Sequence, residues 1–175
     1  MIEDKRAYFE ECTRSLLKQL DNMKMDKMSR LRAKSFTRAI RDAMTLRYVQ
    51  VKTFKIPPRQ CSLCYDAVGF CRVSSLTFLS LMSTHGELTQ DWDLYVVSNE
   101  QLGDHHFLKH KRDNTIFDLS FDQFTVDDII VPYDAGVRTF VSMLKFKDPV
   151  QDFYKAAGFN KFKPLELPTL SFNDR

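Results

Sequence analysis

Apolar positions recur at helical spacing twice before residue 50. Between residues 2 and 22, Phe9, Leu16, Leu17 and Leu20 stand among charges of both signs, which predicts an amphipathic helix breaking near Asp21-Asn22. Between 26 and 48, Met28, Leu31, Ala33, Phe36, Ile40, Met44 and Tyr48 form a second stripe, and Lys27, Arg30, Lys34, Arg38 and Arg41 occupy the other side. Residues 49–60 read as extended and end at Pro57-Pro58. The most apolar segment is 70–83, FCRVSSLTFLSLMS, which predicts a buried helix ending near His85-Gly86.

Strand patterns follow. Leu94-Tyr95-Val96-Val97 is a short strand after Trp92, and residues 104–119 read as a β-hairpin. Its turn is Lys111-Arg112-Asp113-Asn114, and its second strand runs through Thr115-Ile116-Phe117 into Asp118. A turn or short helical piece spans 122–130, closed by Pro132, and residues 134–145 are expected to be helical. Asp148-Pro149 marks a helix start and Gly158 its stop. Helices, one buried helix, strands and then short helices suit an α+β domain with one antiparallel sheet packed on a central helix.

At 175 residues the chain is expected to form one compact domain. A helical part (1–50) would pack on an α+β core (51–160), followed by an extended tail (161–175) with two prolines. The apolar share of 43% and fifteen phenylalanines predict a well-filled interior. No apolar run approaches the roughly 18 residues of a membrane span, and the charged opening MIEDKRAYFEE holds no signal-peptide hydrophobic region. A cytoplasmic protein without membrane association is therefore expected, or one exported by a route that needs no such segment.

Charge changes the picture of the first helices. Residues 1–60 hold 15 Lys/Arg against 7 Asp/Glu, a net +8, and the remainder hold 11 against 16, a net −5. The basic part is either matched by the acidic body of the same chain or faces an acidic partner or polyanion through Lys34, Arg38 and Arg41. No recognised nucleic-acid reader motif accompanies the charge.

Four cysteines do not make a disulfide framework in a chain this long, so each is read as reduced. Cys71 opens the buried helix, where the positive end of the helix dipole favours thiolate, with Arg72 beside it. His105 and His106 follow on the first hairpin strand and point to opposite faces; alternation does not choose between them. His110 is expected to be solvated at the hairpin tip. Asp118 ends the second strand, where a carboxylate could orient an imidazole. A zinc site built from Cys61, Cys64, Cys71 and His85 is disfavoured, because a helix of about 14 residues separates its last two members by roughly 20 Å.

Cys at the mouth of a buried helix, His on a strand and Asp on the next strand resemble papain-like and transglutaminase-like domains. More narrowly, Gly69-Phe70-Cys71, His106-Phe107-Leu108 and the Asp118-Leu119-Ser120-Phe121-Asp122-Gln123-Phe124 segment resemble the YunG-like family of small bacterial proteins. The resemblance covers about residues 66–125 and implies a papain-like core. It also implies a thiol-dependent acyl-transfer activity of the peptide or amide hydrolase, deamidase or transglutaminase kind, on a protein or peptide substrate and without cofactor or metal. On this basis Cys71 is the expected nucleophile, His106 the base (His105 the alternative) and Asp118 the orienter. Phe70 stands where the family tends to carry a Gln, which leaves Gln60 and Gln123 as candidate oxyanion donors. Phe70 and Trp92 are candidates for shaping the acyl site. A binding module on the same fold, acting through the basic helices, is the alternative function.

Overall fold

The computed structural model describes residues 5–46, 49, 70–84, 91–127, 129–139 and 147–159. It is an α+β fold. Helices α1 (Lys5–Asn22), α2 (Lys27–Met44), α3 (Cys71–Thr84) and α4 (Lys147–Ala156) accompany strands β1 (Trp92–Asn99), β2 (Gly103–His110), β3 (Ile116–Phe117) and β4 (Val137–Arg138). The strands form one antiparallel sheet in the order β3-β2-β1-β4. The expected extended segment 49–60, the tail 161–175, and Gln60, Cys61, Cys64 and His85 lie outside the described residues, Val49 excepted.

Helix α3 is buried at every residue from Val73 to Met82, as a helix rich in apolar and small residues in a core must be. Its Val73, Leu76, Phe78, Leu81 and Met82 enter the core, and even Ser74, Ser75, Thr77 and Ser80 are enclosed. It packs on α2, α4 and β2. Phe78 meets Trp92 edge-on at 5.2 Å and lies 5.4 Å from Phe117, so the sheet face carrying Trp92, Leu94, Leu108 and Phe117 is the one under α3.

Asp26 caps α2 by accepting the N–H groups of Met28 and Ser29, each at 2.9 Å. The buried face of α2 runs through Ser29, Ala33, Phe36, Ile40 and Met44. Met28 and Leu31, placed on the apolar stripe by the sequence, are 55% and 52% exposed. At 3.6 residues per turn, Met28 stands about 140° around the helix from Ala33. Helix α4 ends in a Schellman motif: Phe159 N–H donates to the Tyr154 carbonyl at 3.1 Å, and Gly158 N–H donates to that of Lys155 at 3.0 Å. Gly158 takes φ 88°, the left-handed value the motif requires, and Phe159 packs on Tyr154 at 5.4 Å.

Of the three basic residues singled out on α2, Arg41 is not available to a partner. Arg41 is 0% exposed and forms a two-point ion pair with Asp122, both contacts at 2.7 Å. It also donates to Thr13 Oγ1 and to the carbonyls of Leu119 and Phe9, and its guanidinium lies 3.6 Å over the Phe9 ring. Lys34 pairs with Asp21 at 2.6 Å and Arg38 with Glu10 at 2.9 Å, so α1 neutralises much of the charge of α2. The match to the acidic body, one of two readings of the charge asymmetry, is realised at Arg41–Asp122.

The helix expected over 134–145 is not formed in its described part. Tyr133–Ala135 make a single 3-10 turn, Gly136 is extended, and Val137 and Arg138 pair with Val96 and Tyr95 of β1. Gly136 passes directly over Phe107, where a Cβ would lie 2.6 Å from that ring's Cζ. His110 is buried at 0% exposure rather than solvated: its Nδ1 bonds Asp113 at 2.8 Å and its ring packs 4.9 Å from Trp92. Asp113 also accepts the Lys24 N–H at 2.6 Å, tying the α1–α2 turn to the hairpin turn.

Candidate active site

The sulfur is positioned by the start of α3. Phe70 is buried against Phe153 at 5.3 Å, and its carbonyl accepts the Ser74 N–H, which closes the first helical turn. Cys71 is therefore the first helical residue, among backbone N–H groups that lack helical partners. It is 9% exposed, and its Sγ lies 3.8 Å from the Asp104 carbonyl at the start of β2.

Register decides which histidine meets the carboxylate. Leu108 stands opposite Phe117, so these two share the face under α3. Asp118, one residue on, falls to the other face with Phe107 and His105. There His105 Nε2 lies 2.6 Å from Asp118 Oδ2. The expected orientation of His106 by Asp118 is thus corrected: the alternative base, His105, holds that contact. His106 lies on the α3 side and its Nε2 accepts from Arg72 Nε at 3.3 Å.

Asp118 is fully engaged. Tyr133 O–H donates to the same Oδ2 at 2.8 Å, and the Ser120 N–H and hydroxyl donate to Oδ1 at 2.9 and 3.2 Å. Gln123 stands on the imidazole, with its Nε2 2.8 Å from His105 Nδ1. Gln123, one of the two candidate oxyanion donors, is thus placed on the base. An amide N–H there supports the tautomer whose proton is on Nε2, toward Asp118. After a half-turn the same amide offers its oxygen to a protonated Nδ1. Phe124 covers the ring edge-on at 4.7 Å. Trp92 is not near this site: it pairs with His110, five positions along β2 from His105, or about 17 Å at strand rise.

The electrostatics pair the sulfur with the imidazole. Burial pushes the Cys71 thiol up, but the His105 and His106 rings and the His106 backbone outweigh it and bring it down to about 6. Burial pushes His105 down, but its bond to Asp118 and its contact with Cys71 raise it to about 9. Between these values the favoured state is thiolate beside imidazolium. Burial and the neighbouring Asp118 carboxylate push the Tyr133 phenol up, so it remains a donor.

A cleft of about 500 Å³ opens behind the carboxylate, between α1 and the 116–133 segment. Leu16, Gln19, Ile116, Asp118, Phe121 and Tyr133 are among its walls. Gln19 Nε2 spans it at one end to the Ile116 carbonyl at 2.6 Å. In comparisons with known proteins, no family model, curated protein or solved structure matches the chain.

Proposed function

We propose that this protein is a thiol-dependent acyl-transfer enzyme with Cys71 as nucleophile, His105 as proton shuttle and Asp118 as orienter. The observation that carries the reading is the 2.6 Å contact of His105 with Asp118 behind a cysteine at a helix start. A thiol lowered to about 6 and a histidine raised to about 9 support it. The order Cys–His–Asp along helix, strand and strand end supports a papain-like or transglutaminase-like core, with the YunG-like family as the nearest resemblance.

In the proposed reaction the Cys71 thiolate attacks a carbonyl carbon to give a tetrahedral oxyanion. Collapse forms the thioester and expels an amine or ammonia, which takes its proton from the His105 imidazolium. Neutral His105 then deprotonates water, or an acceptor amine, for the second attack. Hydrolase, deamidase and transglutaminase outcomes share these residues and differ only in the leaving group and acceptor.

The test is a timed reaction with iodoacetamide at neutral pH, mapped by peptide mass spectrometry. Cys71 should label far faster than Cys12, Cys61 and Cys64, and His105→Ala should remove the difference. Equal, slow labelling of all four thiols would overturn the proposal.

A further inference from the structure

The side-chain oxyanion donor of a thiol acyl-transfer site is unassigned once Gln123 is found on His105. A second histidine stands beside the nucleophile. His106 is 3% exposed and follows His105 on β2, facing the α3 side of the sheet. Its Nε2 lies 3.3 Å from Arg72 Nε. A guanidinium only donates hydrogen bonds, so Nε2 must present its lone pair and the single proton of the neutral ring sits on Nδ1. That Nδ1 is buried and has no hydrogen-bond partner among the described residues. An unsatisfied buried donor is costly to the fold, and such a group calls for an explanation. The neighbouring Cys71 Sγ is held against the same stretch of β2, 3.8 Å from the Asp104 carbonyl, and the His106 ring makes its thiol more acidic.

We infer that His106 is a catalytic residue of the proposed reaction: its Nδ1–H, fixed by Arg72 at Nε2, donates to the oxyanion that forms when Cys71 attacks a carbonyl. Backbone N–H groups of the first turn of α3 would be the companion donors. In the resting site no described residue accepts from the Nδ1–H in a hydrogen bond. When the thiolate attacks, its charge passes to the carbonyl oxygen, and a donor aimed at that oxygen and not already used by the protein is what makes an oxyanion site effective. The two adjacent histidines thereby divide the work, one on each face of β2.

The inference rests on the acyl-transfer reading, and two reactions of the same thiol separate them. Iodoacetamide alkylation needs the thiolate and forms no oxyanion. Acylation by p-nitrophenyl acetate needs the thiolate and passes through an oxyanion. In His106→Ala, acylation should fall about a hundredfold or more beyond any fall in alkylation at the same pH. His106→Asn, whose amide N–H can occupy the Nδ1–H position, should restore most of it. His105→Ala should lower both reactions together. Equal losses of both reactions in His106→Ala would overturn the oxyanion role and leave the triad standing. A wild-type thiol that alkylates quickly but acylates no faster than a free thiol would do the same. Slow alkylation of the wild type would overturn both readings. A measurement independent of variant folding is the ¹⁵N spectrum of the wild-type histidines at neutral pH. It should show His106 protonated on Nδ1; a proton on Nε2 would overturn the inference.

Discussion

His105 Nε2 and Tyr133 O–H converge on one oxygen, Asp118 Oδ2, at 2.6 and 2.8 Å. The carboxylate is thereby held at the angle the imidazole needs, and its basicity is spread over several donors. Removing its charge should alter the sulfur two contacts away. In Asp118→Asn the alkylation midpoint of Cys71 should move up from about 6 toward the ordinary thiol value of 9.0. Acyl transfer should fall roughly a hundredfold or more. Rate-versus-pH curves with iodoacetamide check the first point, and an unmoved midpoint would count against the pairing.

Tyr133→Phe keeps the ring packing on Phe107 at 4.9 Å and removes only the O–H. A hydrogen bond to a charged group contributes about 1.5–3 kcal/mol. The expected result is a severalfold to hundredfold loss of acyl transfer with little change in fold by circular dichroism.

Stability and reactivity should respond differently to pH. His105, raised to about 9, contributes stability that is complete below its unfolded value of about 6.5 and is lost as pH rises through about 9. Cys71, lowered to about 6, contributes stability that is complete above its unfolded value of 9.0 and is lost as pH falls through about 6. Across the window between them the folded pair and the unfolded pair each bind one proton, so the two slopes cancel. Urea unfolding of the wild type should give no net slope from this pair between about pH 6.5 and 9. Cys71→Ala leaves the histidine slope uncompensated, so that variant should lose stability as pH rises from about 6.5.

Arg41 is expected to matter for folding rather than for partner binding. Arg41→Met strands the Asp122 carboxylate in the core and should cost about 3–5 kcal/mol. Changing both partners, Arg41→Met with Asp122→Leu, should recover much of that loss. Lys34→Glu and Arg38→Glu break half-exposed pairs and should each cost about 1 kcal/mol or less. Chemical denaturation of the four variants provides the check.

Gly136→Ala should destabilise by about 1–3 kcal/mol through overpacking against Phe107. Gly136 has φ −67°, so backbone strain plays no part. A second substitution, Phe107→Leu, should relieve part of the cost in the same unfolding assay.

The long elements were legible because each buries a regular stripe or an unbroken apolar run: α1, α2, α3 and the Gly158 stop all follow from spacing. The helix reading failed over 134–139, its described part, because a two-residue edge strand is set by pairing with Tyr95 and Val96, which local pattern does not encode. The choice between His105 and His106 was more accessible than it looked. Phe117 is apolar and belongs under α3 with Leu108; the residue after it must then face the side of Phe107 and His105. Parity across the hairpin thus selects His105, whereas family spacing selected His106. The burial of Arg41 was not legible, since its partner lies 81 positions away.

That distant partner bears on how the chain tolerates being cut. Arg41 reaches the Leu119 carbonyl, one position after Asp118, and Asp122, one position before Gln123, and Thr13 and Phe9 complete its cage. The first two helices are therefore a bracket from which the loop carrying Asp118 and Gln123 hangs, not a detachable cover. Proteolysis between α2 and α3 that released them would leave the 118–123 stretch without its Arg41 mooring, so the proposed activity should be lost, not switched on, by shedding these helices.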